Sequence, residues 1–429
     1  MNEAKTYQER LKIIMDLNPG DAEALTQTET ESQLNLQPSF EGLLVCLYQR
    51  PSESLQLTLE RLNRTFVAQR PEQSIFAATT GHDGTAVPGT NFANLRILPL
   101  APSSALVTHR FIAAADYINA FSLMQEHGAR ACLLLGADSD ALSPASVRNL
   151  ATSALAGTTD LAIPYYHWGP HQGLVNSAIL YPVTRTLFGT SPRFPMPTDL
   201  ALSHRMAERL AASASRFSSI GVEDAIVWPV SEAATSNFSM VEVESGPYSP
   251  LQPPPADLNA LLAFVLGFFF SDIEAKATHW QRVRSLPSPR VATYIPPTSD
   301  PWPDVRPMIE AFRLAYTNLA EIWSLVLPPN SLVGLKHLSV MPAERFDLSD
   351  ALWVRIIYDF ILAYRQRTIN RGHLLGALTP LYLAWVASHI LLSDSGIAPE
   401  KHIQDLAATF ESDKAYLVSR WRWPDRFNS

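Results

Sequence analysis

The chain has 429 residues, 47% apolar and 17% charged, a balance that belongs to packed globular proteins and excludes an intrinsically disordered one. A formal net charge of −8 lacks the basic surplus of a general nucleic-acid binder, so no nucleic-acid partner is expected. The length exceeds one ordinary hydrophobic core and predicts two domains.

The two cysteines, Cys46 and Cys132, lie in the apolar runs GLLVCLY and ACLLLG, which predicts buried, reduced thiols rather than a disulfide framework. The opening stretch MNEAKTYQERLK is polar and is no signal peptide. The longest apolar run, Leu258 to Phe270, is short for a bilayer and reads as a core helix. These features predict a cytoplasmic protein without a transmembrane segment.

Residues 1–40 are polar, with spacing for a short helix around Leu11–Leu17, and read as an N-terminal arm and linker. From residue 41 short apolar runs alternate with helical spacing. GLLVCLY, SIFAA, LRILPL, ACLLLG and DLAIPYY read as buried strands. Helices are expected after Ser52, over Phe111–His127 and over Ser143–Ala156. This order predicts an α/β domain over 41–250 with a mostly parallel sheet covered on both faces. After SMVEVE comes the proline-rich break GPYSPLQPPP, and an all-α C-terminal domain is expected over 251–429. There Met308, Phe312, Leu319 and Trp323 fit one helix face, and Leu352–Arg365 and Leu374–Leu392 fit two further helices.

Four segments carry polar side chains where an open α/β sheet binds ligands, beyond the carboxyl ends of its strands. Asp138-Ser139-Asp140 follows ACLLLG; its carboxylates can hold Mg²⁺ or Mn²⁺ against a diphosphate, or form a solvated turn with Asp140 or Ser143 capping the next helix. Gly81-His82-Asp83-Gly84-Thr85 follows SIFAA; Asp83 can accept hydrogen bonds from a base or ribose, and Asp-Gly is also plain turn chemistry. In Tyr165-Tyr166-His167-Trp168-Gly169-Pro170-His171, the Tyr166, His167 and His171 side chains can line an acceptor pocket, the two histidines can ligate a metal, or all can be ordinary loop residues. Thr198 and Asp199, in PTDLALS, either face an acid or phosphate or cap a helix over Leu200–Ala212. No Walker, GxSxG, HExxH or CxxC motif occurs, which removes P-loop phosphotransfer, the α/β-hydrolase elbow and the usual zinc sites.

Taken in order, ARACLLLGADSDALSP, DLAIPYYHWGPHQGLVNSAILYPVTRTLFG and RFPMPTDLALSHRMAERL, with LWVRIIYDFILAYRQRTINRGHLLGALTPLYLAWVAS and KAYLVSRW further on, resemble bacterial glucosylglycerate and mannosylglycerate synthase-like glycosyltransferases. That resemblance implies a GT-A (Rossmann-like) nucleotide-sugar-binding sheet domain and retention of configuration. It implies a UDP- or GDP-sugar donor, Mg²⁺ or Mn²⁺, and a small hydroxy-acid acceptor such as glycerate or phosphoglycerate. Residue by residue, Asp138 and Asp140 match the metal-binding D-x-D, with Ser139 between them at the donor. Asp83 matches the acidic residue of a donor-binding turn, and Asp199 that of a Gly-Gly-(Asp/Glu)-Phe acceptor loop. Tyr248 stands nearest the place of a metal-binding histidine.

The chain departs from the pattern at several places. Pro197 and Thr198 replace the loop's two glycines, Ala101-Pro102-Ser103-Ser104 replaces a Gly-Lys-Gly, and Gly221-Val222-Glu223-Asp224-Ala225 replaces G-(I/F)-D-I-W. The expectation is a metal-dependent hexosyltransferase, with a homo-oligomer compatible with the apolar second half. The alternative is a catalytically silent relative that binds a nucleotide sugar or a protein partner.

Overall fold

The computed structural model describes residues 39–48, 52–67, 72–80, 92, 94–101, 111–247, 258–284 and 303–423. Asp83, Tyr248, residues 102–104, the expected helix around Leu11–Leu17 and the proline-rich break beyond Pro247 lie outside the described residues. Residues Glu41–Ser429 form one compact unit.

Five mostly apolar runs become strands; the two fully buried ones, LLVCL and ACLLL, can hide every residue only as strands between two neighbours, while the edge run LRILP stays partly exposed. The five are β1 (Leu43–Leu47), β2 (Ile75–Thr79), β3 (Leu95–Pro99), β4 (Ala131–Leu135) and β5 (Leu161–His167). Two more, β6 (Leu200–Ser203) and β7 (Met240–Pro247), complete a seven-stranded sheet in the order β3-β2-β1-β4-β6-β5-β7. β1 to β4 are mutually parallel, as are β5 and β7, while β6 is antiparallel to both β4 and β5. Six strands therefore run one way and β6 alone runs against them. The chain enters β6 at the sheet edge where its neighbours end, which brings Thr198 and Asp199 to the carboxyl ends of β4 and β5.

The expected helix over Leu200–Ala212 is corrected here. Leu200–Ser203 pairs with Ala131–Leu134, and the helix α5 begins at His204 and runs to Ser218, capped by Ser203, whose hydroxyl accepts from the Met206 N–H at 3.3 Å. The cap before the helix Pro144–Leu155 (α3) is Ser143, which accepts from the Ser146 N–H at 3.0 Å; Asp140 takes no part in it. The other helices of this half are α1 (Ser52–Leu62), α2 (Ala114–His127), α4 (Tyr181–Phe188) and α6 (Pro229–Thr235).

The rest of the described chain is helical: α7 (Leu258–Ala275), α8 (Ala277–Trp280), α9 (Arg306–Asn318), α10 (Ala320–Val326), α11 (Pro329–Ser339), α12 (Asp350–Gln366), α13 (Arg371–Asp394) and α14 (Pro399–Arg422). The single face expected over Met308–Trp323 is split between α9 and α10 at Leu319, which leaves helical geometry. α7 and α13 are long and apolar enough to cross a membrane by length and composition, so the run at Leu258 is not short once it extends to Ala275. In α13, 72% of the most apolar stretch is buried inside the protein, which makes it a core helix; in α7 the share is 33%.

One core packs the sheet against α2 and α5, with Cys46, Met124, Leu134, Leu202 and Leu210 inside. Cys46 and Cys132 meet there, Sγ to Sγ at 3.8 Å. A second core joins Ala178, Leu187 and Trp228 of the first half to Phe269, Trp353 and Trp385 of the helices. Polar ties cross the same seam: the Trp353 indole donates to the Ala178 carbonyl at 3.0 Å, and the buried Arg185 pairs with Glu411 at 2.7 Å.

Candidate functional site

The strand order reverses between β1 and β4: β2 and β3 lie to one side and β4 to the other. Loops leaving the two central strands diverge at such a point and open a crevice, the usual ligand position in an open α/β sheet. Here the crevice is framed by Tyr48 after β1 and by Gly136 through Ala141 after β4. The Tyr48 N–H donates to the Leu135 carbonyl at 3.2 Å, and its hydroxyl donates to the Thr198 carbonyl. Gly136 is required at this spot. A Cβ on it would stand 2.7 Å from the Tyr48 hydroxyl and 2.8 Å from the Thr198 carbonyl oxygen, inside van der Waals contact.

Asp138, Ser139 and Asp140 follow in a 3-10 turn over Ser139–Ala141. Asp138 is half-buried, Ser139 is buried, and the Asp140 side chain is 49% exposed. Arg61 of α1 reaches across to this turn. Its Nη1 donates to the Asp140 carbonyl at 2.8 Å and lies 3.4 Å from the Asp140 carboxylate, which also accepts from the Thr58 hydroxyl at 3.4 Å. The sequence signals neither Tyr48 nor Arg61, because neither sits in a motif and both act across long chain separations.

Asp199 is fully buried and its carboxylate is engaged on both oxygens. Oδ1 accepts the Gly136 N–H at 2.9 Å; Oδ2 accepts the Tyr166 hydroxyl at 2.9 Å and the Thr198 hydroxyl at 3.2 Å. The Asp199 N–H in turn donates to the Tyr166 oxygen at 3.2 Å. Asp199 thus clamps the ends of β4 and β5 to the entry of β6. Burial, and then the Asp199 charge, push the Tyr48 hydroxyl well above its ordinary pKa, so Tyr48 stays a neutral donor.

Tyr166 and His167 line a second hollow, a cavity of about 100 Å³ beyond β5, closed on its far side by the start of α14. Trp168 lies parallel to Tyr166 at 5.7 Å and tilted against Phe194 at 4.6 Å. His167 Nε2 is 2.5 Å from the Glu244 carboxylate. Arg193, 6% exposed, pairs through Nε with both Glu400 oxygens at 3.2 and 3.3 Å, and its Nη2 donates to the Ser177 hydroxyl at 2.9 Å. The Arg193 N–H donates to Glu242 at 2.6 Å. Burial pushes the Glu242 carboxyl up to about 7, against the nearby Arg193 and with the help of Glu244 and Glu400. Neither Arg193 nor Glu400 carries a sequence signal; 207 residues separate them.

His171 does not line this cavity. It stands near His389, which is buried in α13 beside His402 with Nδ1 to Nδ1 at 2.7 Å; His402 Nε2 is 3.0 Å from Asp350. Burial first, then His402 and His171, hold His389 down at about 3. The structure therefore brings together Asp138, Ser139 and Asp140 at the crevice and Tyr166, Thr198 and Asp199 in the clamp. His167 lies at the cavity and His171 is set apart.

Among the described residues no group of three or more His, Cys, Asp or Glu side chains converges as a metal site. The chemistry of Asp138 and Asp140 still fits a hard divalent cation. Two carboxylates separated by one residue would supply oxygen ligands, with Arg61 already paired to Asp140 as a competing cation.

No protein-family model matches the sequence, and none of the curated proteins does. Among solved structures, part of the chain is similar to a mycobacterial protein at 12% identity and a TM-score of 0.34, over 54% of this chain and 74% of that one. It is also similar to glucosyl-3-phosphoglycerate synthase from Mycobacterium tuberculosis in complex with Mn²⁺, UDP-glucose and phosphoglyceric acid, at 13% identity and a TM-score of 0.33, over 54% and 78%. The same enzyme in complex with Mg²⁺ and UDP gives 13% and 0.33 over the same shares. These values mark a distant likeness that carries no argument about activity, and the reading of the site rests on its own geometry.

Proposed function

We propose that this protein is a glycosyltransferase that takes a hexose from a nucleotide sugar and passes it to a hydroxyl of a small acceptor. The observation that carries the reading is the Asp138–Asp140 turn at the point where the strand order reverses, on the sheet edge where β6 alone enters against its neighbours. This is the arrangement a GT-A domain requires, and it agrees with the ordered resemblance in the sequence. The crevice offers what a departing diphosphate needs: Asp138 and Asp140 for Mg²⁺ or Mn²⁺, and the guanidinium of Arg61 beside them. When bound, such a cation supplies charge neutralisation on the leaving diphosphate.

The chain's own residues do the rest. Arg61 holds the turn by its carbonyls. Gly136 lets the Tyr48 hydroxyl and the Thr198 carbonyl come together where any side chain would intrude. Asp199 is a positioning residue: it fixes Tyr166 and the Gly136 N–H and does not itself reach solvent. The acceptor lies toward Tyr166 and His167. With the acceptor hydroxyl attacking from the face the diphosphate leaves, configuration is retained and no protein nucleophile is needed. The resemblance by itself would make the acceptor a hydroxy acid of the glycerate type.

The test is thermal denaturation with a panel of UDP-, GDP- and ADP-sugars, with and without Mn²⁺. Binding to the folded form raises the melting temperature, by an equivalent of ~2.7 kcal/mol at a hundredfold excess over Kd. One nucleotide sugar should do so and require the metal for its full effect. No shift with any donor would remove the proposal, and a shift without sugar transfer would leave the silent-relative reading.

A further inference from the structure

The cavity beyond β5 has its own chemistry, and it differs from what an anionic acceptor needs. Its walls are aromatic: Tyr165, Trp168 and Phe194, with Phe194 within 6.0 Å of Tyr165 and 4.6 Å of Trp168. Two nitrogen donors of its lining have no hydrogen-bond partner among the described residues although their atoms are buried, Arg193 Nη1 and Trp168 Nε1. A buried N–H without an acceptor is costly, so both call for a ligand oxygen. Both repel a cation.

The charge around them is the decisive feature. Arg193 is the one Lys or Arg side chain among the cavity's described lining, and Glu400 already pairs with it through both carboxylate oxygens. Outside the lining, the exposed Glu244 carboxylate stands beside His167 and Glu242 accepts the Arg193 backbone N–H. The Tyr165 hydroxyl reports the same acidic surroundings: burial, then Glu400, push it up to about 12 against the pull of Arg193. A carboxylate or phosphate entering here would meet like charge next to a guanidinium that is already neutralised. A hydroxyl meets no such penalty. It accepts from Arg193 or Trp168, donates to Glu400, and leaves the C–H faces of its carbon frame to the aromatic rings.

We infer that this cavity binds a neutral, hydroxyl-rich ligand, a polyol or sugar, with Trp168 as wall and donor and the Arg193–Glu400 pair as a paired donor and acceptor. The inference deepens the proposed function and rests on it only in calling this ligand the acceptor. It replaces the hydroxy acid of the resemblance with an uncharged alcohol.

The experiment is ligand-observed NMR on the full chain without nucleotide, using mannitol, maltose and trehalose as neutral probes and glycerate and 3-phosphoglycerate as anionic ones. At least one neutral probe should bind, and Trp168→Phe, which keeps a ring and removes the indole donor, should weaken it by about fivefold. The anionic probes should bind more weakly than that probe to the wild type and gain about fivefold in Glu400→Gln, where the guanidinium charge is released. Circular dichroism melts establish that both variants are folded. Anionic probes binding the wild type more tightly than every neutral one, no neutral probe binding, or an unchanged affinity in Trp168→Phe would each overturn the inference. Nucleotide-sugar shifts measured on the same sample separate the two readings. Donor binding without polyol binding sinks this inference alone, and polyol binding without donor binding sinks only the proposed transferase.

Discussion

The crevice at β1 and β4 and the cavity at β5 share one edge of one sheet and treat charge in opposite ways. At the crevice the carboxylate of Asp140 is half-exposed and forms an ion pair with Arg61 at 3.4 Å at the protein surface. At the cavity Arg193 and Glu400 are drawn together behind aromatic walls, and their charges are used on each other. Between them sits Asp199, a buried carboxylate with both oxygens engaged by protein groups. Residue type therefore says little about role along this edge. Three acids, Asp140, Glu400 and Asp199, do three different things, and solvent access decides which.

The sharpest way to break the comparison is at the joint between the two regions. Gly136→Ala forces a methyl to within 2.8 Å of two oxygen atoms, one of them backbone, and should cost roughly 3 kcal/mol, the upper part of the range for overpacking. Denaturant titration should show that loss together with loss of the nucleotide-sugar shift. A variant of wild-type stability would mean that the Tyr48–Thr198 approach is not tight.

Asp199→Ala comes next. It leaves the Gly136 N–H and the Tyr166 hydroxyl without their buried acceptor, and should cost about 2 kcal/mol in the same titration. If Asp199 were instead a solvent-facing acceptor ligand, stability would hold and only acceptor binding would fall.

Asp140→Ala should do the reverse. A half-exposed side chain with long hydrogen bonds contributes within about 0.5 kcal/mol to stability, so the fold should melt normally. Metal-dependent binding of the nucleotide sugar should fall by about tenfold, read by titration with and without Mn²⁺. Unchanged metal dependence would take Asp140 out of the site.

The smallest effect concerns pH on the cavity side. Glu242 is raised from 4.5 to about 7, so between those values the folded protein holds a proton that the unfolded chain has lost. Its contribution to stability is full below 4.5 and declines as pH rises through 7. Glu242→Gln keeps an acceptor for the Arg193 N–H and removes this titration. Its melting temperature should match the wild type near pH 4.5 and exceed it at pH 8, by on the order of 1 kcal/mol in stability. An identical pH profile for the two proteins would show that Glu242 is not buried as described.

The sequence by itself determined the sheet's central strands and the long helices. A run such as LLVCL or ACLLL can bury every residue only between two neighbours, and Leu374–Leu392 can hide its apolar residues only in a helical core. It also located the Asp138–Asp140 turn, because a polar turn directly after a buried strand must lie at the sheet's edge. Tertiary structure decided the rest. LALS carries no pattern that separates a strand from a helix start; four residues become β6 because β4 and β5 leave a gap between them. The Thr198–Asp199 pair was legible as a loop at a ligand-binding edge, but its burial follows from that insertion and from Gly136 and Tyr166 closing over it. Arg61, Arg193 and Glu400 are single charged residues in ordinary helical or loop surroundings. Their meaning comes from partners 79 and 207 positions away, and pairings at such separations are fixed by packing, which no local spacing encodes.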